Sequence, residues 1–413
     1  MGRIARWIAI VLMACCVLGC RAAPERNDLV VWTAFEGGEF ETLTKLLAGY
    51  QSESGREVVL LKVPFASLRQ KVLVAGPALQ GPDILIGPHD WVGMLQTAEL
   101  LAPIPERVLS GENGDFYPIA VRAGTYAEHR YLAPMMMECV VLARNTELCP
   151  EKPRSLDHLV ELAVACREQN PGVGGFSYEI DNFYFTWGLM AGFGTDFLEP
   201  FSSKDLTIDK LQFDTPETVA AAEWVADLRL EHKLVNAGVK NDLVVDLFLN
   251  KKLAMMLCGP WNLDAIRKAG VPYSLEPIPP GPSAPSSSFV GITGAMLSRY
   301  AESKPGAEEL LLYLSSPETS AELCRAAARP PTREKTAKLL AEKVTDPAVT
   351  RDMALFAQAA SAGTPLPNHP AMQPVWDIMK QALELITSGK VTAHSELERT
   401  TERVRAKIRF MTE

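Results

Sequence analysis

The 413-residue sequence lacks the basic clusters that nucleic-acid binding requires. Its formal net charge is −9 at pH 7, and no run of Lys and Arg exceeds two residues. Phosphate backbones are bound by clustered Lys and Arg side chains, so this composition argues against nucleic acid as a partner. Hydrophobic residues make up 47% and charged residues 22% of the chain, which is typical of a globular protein and argues against disorder.

Catalytic and metal-binding motifs are also missing. The sequence contains no H-E-x-x-H, G-x-S-x-G or G-x-x-x-x-G-K pattern, its six His residues are scattered, and no C-x-x-C pair occurs. We therefore expect no enzyme, no metal and no cofactor. Because two carboxylates roughly 5–10 Å apart suffice for glycoside hydrolysis, a secreted glycan-active enzyme stays an alternative.

Beyond the N-terminus, no apolar run is long enough for a transmembrane helix. At the N-terminus, Arg3 and Arg6 precede an apolar run, which predicts a secretory signal peptide over 1–19. The residues Val-Leu-Gly-Cys at 17–20 resemble the lipobox of bacterial lipoproteins. This resemblance implies cleavage before Cys20 and lipid attachment to its thiol. An ordinary signal peptide or an uncleaved anchor is the alternative.

A lipid on Cys20 would hold the protein at a membrane surface, in the periplasm or on the outside of the cell. Residues 20–28 would then be a short polar tether. Five cysteines follow it, and an odd number leaves at least one unpaired in an oxidising compartment. Cys139 and Cys149 could form one local disulfide.

The body of the chain alternates between strand and helix patterns. Strands predicted over 28–34, 57–64 and 81–88 are each followed by a helix, predicted over 40–50, 66–79 and 91–101. This alternation predicts a parallel sheet with helices on both faces. The pattern restarts with a strand over 138–145, and a Pro- and Ser-rich linker over 277–288 precedes a further strand and a helical C-terminal part. We therefore predict an α/β protein with two units.

The loops after the strands are rich in aromatic and acidic side chains and poor in Lys and Arg. Ligands of parallel sheets bind beyond the carboxyl ends of the strands. Aromatic faces can stack on sugar rings, while carboxylates accept hydrogen bonds from sugar hydroxyls. The loops therefore predict a carbohydrate site, with candidate residues Glu36, Asp90, Trp91, Glu138, Asn182, Tyr184, Phe185, Trp261 and Trp376.

The positions of three of these candidates allow more than one role. Trp261 follows a Gly-Pro turn after an apolar strand, which favours an exposed ring over a core ring. Asp90 could instead cap the helix that follows it. Glu138 could instead form a salt bridge at a hinge between the two units.

Five segments, taken together and in order, resemble the maltose/maltodextrin-binding proteins, the extracellular sugar receptors of ABC importers. The resemblance extends over about 29–407, and its segments are QGPDILIGPHDWVGMLQTAELLAPI, FYFTWGLMAGFG, LNKKLAMMLCGPWNLDAI, SSFVGITGAML and PLPNHPAMQPVWDIM.

The resemblance implies a periplasmic-binding-protein-like fold of type II, in which two lobes, each a sheet flanked by helices, close on a hinge around the ligand. The N-terminal lobe would comprise 29–137 and 290–330, and the C-terminal lobe 138–289 and 331–413. Such a receptor is expected to be a monomer that binds a carbohydrate and contacts ABC permease subunits. A sensory lipoprotein on the same fold is an alternative.

By the same resemblance, Tyr184, Trp261 and Trp376 would stack on sugar rings. The chain also departs from the family pattern. Gly37 replaces a Lys, Gly87 a Trp, Trp91 an Arg, and Asn182 an acidic residue. The class of site survives these changes, but maltodextrin as the ligand does not follow from them.

Overall fold

A computed structural model describes residues 28–110, 114–202, 206–301 and 304–412. The predicted signal peptide over 1–19 and the predicted lipid-bearing Cys20 lie outside these residues. In the described part of the chain, every helix is too short or too polar to cross a membrane.

The strands and helices follow in the order expected for an α/β protein. The strands are β1 (Leu29–Thr33), β2 (Val58–Lys62), β3 (Ile84–Pro88), β4 (Thr125–Tyr126), β5 (His129–Arg130), β6 (Leu132–Glu138), β7 (Val141–Asn145), β8 (Gly174–Ser177), β9 (Leu253–Cys258), β10 (Tyr273–Glu276), β11 (Phe289–Leu297) and β12 (Thr364–Pro365). The helices are α1 (Gly37–Ser54), α2 (Phe65–Ala75), α3 (Val92–Thr97), α4 (Pro118–Ala123), α5 (Leu156–Gln169), α6 (Phe183–Met190), α7 (Pro216–Leu230), α8 (Asn241–Leu249), α9 (Leu263–Lys268), α10 (Ala307–Leu314), α11 (Pro317–Ala327), α12 (Glu334–Lys343), α13 (Pro347–Ser361), α14 (Gln373–Thr387) and α15 (Ala393–Thr412).

The first sheet has the strand order β2-β1-β3-β11, and both β6 and β12 pair with β11. The pairs β1–β2 and β1–β3 are parallel, which confirms the arrangement predicted from the alternation of strands and helices. In contrast, β11 runs antiparallel to β3 and β6. The apolar residues Leu29, Val31 and Ile84 bury this sheet against its helices, and Leu340 of α12 packs into the same core.

The second sheet has the strand order β10-β7-β9-β8. Its largest core lies between β7, β8 and β9 on one side and α5, α6, α7, α14 and α15 on the other. Capping fixes where two of these helices begin. Ser155 accepts a hydrogen bond from the His158 N–H (3.1 Å) at α5, and Thr215 accepts one from the Thr218 N–H (3.3 Å) at α7.

The strand predicted over 138–145 is wrong in its extent, because it is two strands in different sheets. Glu138 is the last residue of β6 in the first sheet, and β7 of the second sheet begins at Val141. The sequence gives no sign of the break because Cys139 and Val140 are apolar and fully buried, like the strands on either side. The chain crosses between the two sheets at these two residues.

The two cysteines that could have formed a local disulfide lie in different cores. Cys139 packs near Phe356, to whose carbonyl oxygen its thiol donates (3.8 Å). The thiol of Cys149 instead contacts that of Cys166 in the core of the second sheet. All of these thiols are free and buried, so the Cys139–Cys149 pair is not formed.

Close packing of α5 on β8 predicts that Gly175→Ala will destabilise the second sheet. An added Cβ at Gly175 would lie 1.8 Å from the Ala163 carbonyl oxygen, so the helix backbone would have to move. We expect the free energy of unfolding to fall by about 3 kcal/mol in urea titrations. Gly174→Ala is the matched control, because its Cβ would meet only the movable tip of Leu253 (3.1 Å). Equal stability of both variants would contradict this packing.

Candidate functional site

Helix α6 brings the first two aromatic candidates to the edge of the second sheet. Asn182 caps this helix, since its side-chain oxygen accepts a hydrogen bond from the Tyr184 N–H (3.1 Å). The Tyr184 ring lies 6.3 Å from the Trp261 ring, and Phe185 meets Trp261 edge-on at the same distance. Tyr184 and Trp261 are both half-buried, whereas Phe185 is buried.

The turn after β9 sets the position of Trp261. The Gly259 N–H donates to the side-chain oxygen of Asn262 (3.1 Å), which closes the turn. The Trp261 ring folds back over Gly259, where an added Cβ would lie 2.2 Å from the ring. Only glycine leaves room for the ring at this point, and the turn therefore directs Trp261 toward α6.

Trp376 joins the same group of rings through Phe289. Its ring lies 5.6 Å from Phe183 and 5.7 Å from Phe289, and Phe289 stacks on Tyr184 at 6.0 Å. The three aromatics predicted to stack on a sugar therefore belong to one continuous group. We call it the aromatic cluster, and it comprises Phe183, Tyr184, Phe185, Trp261, Phe289 and Trp376.

A buried ion triad of Glu39, Glu138 and Arg329 lies beside the aromatic cluster. The Arg329 Nε lies 2.6 Å from Glu39 Oε1, and another guanidinium nitrogen contacts the Glu138 carboxylate. The guanidinium carbon is 5.9 Å from the centre of the Trp261 ring. Burial raises the pKa of Glu39, while Arg329 acts to lower it. The triad thus places two carboxylates and one cation against a ring of the aromatic cluster.

The sequence analysis identified Glu138 but missed Glu39 and Arg329. Glu39 lies in the first turn of α1, beyond the loop that follows β1, and Arg329 lies in the loop between α11 and α12, so neither is in a loop directly after a strand. A single signal was available, since Arg329 is followed by two prolines that end any helix there. That signal marks a loop without indicating a site.

The Tyr184 hydroxyl faces the ion triad from the second sheet. Burial raises the pKa of this hydroxyl well above its usual range, and the neighbouring Glu138 carboxylate raises it further. The Tyr184 hydroxyl and the Trp376 ring N–H are both buried and lack a hydrogen-bond partner among the described residues. Buried polar groups are normally paired, so these two are suited to bonding a polar ligand.

Asp90 follows β3 and is only 7% exposed. Burial raises the pKa of its carboxyl to about 7, with Arg69 lowering it and Glu138 raising it less strongly. The adjacent His89 has a structural role. Its ring accepts a hydrogen bond from the Ile292 N–H (3.0 Å) and lies 2.8 Å from the Leu366 carbonyl oxygen, and burial lowers its pKa to about 4.

The raised pKa of Asp90 predicts a pH-dependent loss of stability. The folded value of about 7 lies above the ordinary value of 3.8, so the folded state holds this proton more tightly. The resulting stabilisation is complete below about pH 4 and is lost as the pH rises through 7. Wild type should lose this stabilisation as the pH rises, and Asp90→Asn should not. The free energy of unfolding of Asp90→Asn minus that of wild type should therefore increase by about 2 kcal/mol from about pH 5 to pH 8. Urea titrations at both pH values test this.

Asp157→Asn, at an exposed carboxylate in α5, is the control for the pH series. Its difference from wild type should be the same at both pH values. If the free energies of unfolding of Asp90→Asn and wild type changed by the same amount between these pH values, the pKa of Asp90 would not be raised.

Three other candidates lie outside the aromatic cluster. Glu36 precedes α1 with 74% of its side chain exposed and lies 3.5 Å from Lys62. Asn182 acts as the α6 cap, as described above. Trp91 is 3% exposed, and its ring lies over Gly87, where an added Cβ would be 3.3 Å away. The ring of Trp91 thus fills the space that the small residue at position 87 leaves.

Three hydrogen bonds join the first unit to the second beside this site. The Gly38 N–H at the start of α1 donates to Asp264 of α9 (3.2 Å). Arg69 of α2 donates to the side-chain oxygen of Gln373 in α14 (2.5 Å), and Gln373 donates to the Asp90 carbonyl oxygen (3.1 Å). The aromatic cluster, the ion triad and Asp90 therefore lie where the two units meet.

The chemistry of this arrangement suits binding. Flat rings, carboxylates and unpaired donors together can hold a ligand that has both apolar faces and hydroxyl groups. Within the described ranges, no group of three or more His, Cys, Asp or Glu side chains could hold a metal ion.

Comparison with known proteins gives a consistent result. The family model of bacterial extracellular solute-binding proteins matches residues 45–357, more than half of the chain. A maltotriose-binding protein of Pyrococcus abyssi is 25% identical over 380 residues, covering 90% of this chain and 80% of the relative. A galactooligosaccharide-binding protein of Bacillus subtilis is 23% identical over 401 residues, covering 94% and 91%.

Among solved structures, the Thermus thermophilus maltotriose-binding protein with bound maltotriose matches with a TM-score of 0.82 and 29% identity. The match covers 92% of this chain and all of that one. The predicted two-lobed fold, with helices flanking each sheet, is thereby confirmed. These relatives are named as binding proteins rather than enzymes.

Proposed function

The chain belongs to the family of bacterial extracellular solute-binding proteins, and on this premise we propose that it captures an oligosaccharide for an ABC importer. The single observation that carries the proposal is the aromatic cluster, which gathers Tyr184, Trp261 and Trp376 beside the carboxylates of Glu138 and Asp90. The relatives named for maltotriose and galactooligosaccharides support a sugar as the ligand.

In the proposed binding mode, sugar rings stack on the aromatic cluster while their hydroxyls bond to the surrounding polar groups. The Tyr184 hydroxyl and the Trp376 ring N–H are buried donors without a partner among the described residues. Glu138 and Asp90 would accept from sugar hydroxyls, and hydrogen bonds to charged acceptors contribute about 1.5–3 kcal/mol each. A few such contacts reach micromolar affinity, about −8 kcal/mol. No catalytic step is required.

Binding would be coupled to closure of the two lobes. The lobes would be 29–137 with 290–330, and 138–289 with 331–413, and the hinge would include the crossing after Glu138. A sugar can favour the closed form only by contacting both lobes. Asp90, within 29–137, and Tyr184, within 138–289, supply those two sides. The closed monomer would then contact the permease subunits, with lipid on Cys20 holding it at the membrane.

A thermal-shift screen of the mature domain against a carbohydrate library tests the proposal. A sugar that binds only the folded state at a hundredfold excess over its Kd should add about 2.7 kcal/mol of stability. We expect a hit among oligosaccharides and a matching change in Trp fluorescence. Flat responses to the whole panel in both assays would refute a carbohydrate receptor.

A further inference from the structure

Phe65 presents an exposed aromatic ring next to the site. It is the first residue of α2, and its side chain is 61% exposed. One face of the ring packs on Trp91, with 5.4 Å between ring centres and 32° between ring planes. Because Trp91 itself rests on Gly87, the two rings form a supported stack whose outer member faces solvent.

Helix α2 connects this stack to the residues of the site. Arg69, one turn after Phe65, donates to the side chain of Gln373, which in turn donates to the Asp90 carbonyl oxygen. Trp376 follows Gln373 by one turn of α14, and Asp90 directly precedes Trp91. Phe65 therefore lies one turn away from a residue that contacts the margin of the site, and its ring packs on the neighbour of Asp90.

The packing of α2 accounts for only part of the Phe65 ring. The helix buries Leu68 and Val72 in the core that also holds Trp91, and Phe65 contacts that core at the Trp91 ring while staying 61% exposed. A single exposed apolar residue is ordinary on a protein surface. Phe65 differs because a second ring holds it in place and hydrogen bonds tie its helix to the site. Such a rigid, flat ring is suited to cover the apolar face of a sugar.

We propose that Phe65 is an outer binding platform that stacks on a sugar unit beyond those held by the aromatic cluster. The site would then prefer oligosaccharides long enough to reach α2. This inference rests on the carbohydrate-binding function proposed above, and it adds a position on the first unit that sequence reasoning did not select.

Isothermal titration of wild type and Phe65→Ala with maltooligosaccharides and galactooligosaccharides, from disaccharides to heptasaccharides, tests the platform. We expect wild type to bind longer chains more tightly than disaccharides. Phe65→Ala should lose about tenfold in affinity for the longer chains, while its affinity for disaccharides changes less than roughly twofold. Phe65→Tyr should retain the wild-type preference, because it keeps the ring. Val74→Ala, at a 66% exposed residue of the same helix, is the matched control and should change neither affinity.

The outcomes separate the platform from the function on which it depends. If wild type binds sugars but Phe65→Ala matches it at every chain length, the platform is refuted and the receptor function stands. An equal loss for disaccharides and longer chains also refutes it, because Phe65 would then act on the whole site. If wild type binds none of these sugars, both proposals fail.

Discussion

Replacing Arg329 by Met is expected to destabilise the folded protein by about 3–5 kcal/mol. The substitution removes the only cation of the ion triad and leaves the carboxylates of Glu39 and Glu138 facing each other in a buried setting. Because Met keeps much of the side-chain volume, the loss of stability measures the removal of the charge rather than the creation of a cavity. Urea titration at neutral pH measures it, and the loss should shrink as acid protonates Glu39, whose pKa is raised by burial.

Two further variants make the Arg329 result interpretable. Arg325→Met removes an exposed arginine one turn earlier in α11, where Arg325 pairs with Glu322 (2.8 Å), and should change stability by less than about 1 kcal/mol. Glu39→Gln combined with Arg329→Met should recover part of the loss, because one uncompensated charge is removed. A loss at Arg329 no larger than that at Arg325 would mean that water reaches the triad.

Replacing Trp261 by Ala is expected to weaken binding of the oligosaccharide found in the screen by about 100-fold, close to 2.7 kcal/mol. The ring lies against Tyr184, Phe185 and the Arg329 guanidinium, so its removal takes away a stacking face and opens the ion triad to water. Isothermal titration measures the affinity. Trp261→Phe should recover part of it, because a smaller flat face remains.

Trp224→Ala is the matched control for the loss of an indole ring. Trp224 is half-buried in α7 and packs on Phe193, outside the aromatic cluster. This variant should be less stable than wild type but should bind sugar with the same affinity. If the two Trp variants lost affinity to the same degree, Trp261 would have no specific role in binding the sugar.

Much of the fold could be predicted from the sequence because the spacing of hydrophobic residues and the identity of turn residues determine secondary structure locally. The first three strands, their helices and the turn before Trp261 are examples. The crossing between the sheets was missed because Cys139 and Val140, the two residues at the crossing, are as apolar and buried as the first residues of β7, so no turn residue marks the change of sheet.

The site was predictable where its residues lie beyond strand ends or, like Trp376, in segments that resemble the family. Tyr184, Trp261 and Trp376 come together as a continuous group. Glu39, Arg329 and Phe289 were missed because their roles depend on pairing across distant parts of the chain. Trp91 was selected as a site residue because it lies in a loop after a strand, but its ring fills the space above Gly87 instead. Its contribution to the site, if Phe65 acts as proposed, is to support another ring.

Two of the hydrogen bonds between the units, Gly38 to Asp264 and Arg69 to Gln373, also bear on the residence time of a bound ligand. Neither involves the aromatic cluster, yet both have to break before the units can separate. Weakening them should therefore shorten the residence time of a bound molecule by accelerating dissociation, while the rate of capture by the open form changes little. A solute-binding protein with this arrangement can change its affinity and its rate of ligand release through different residues.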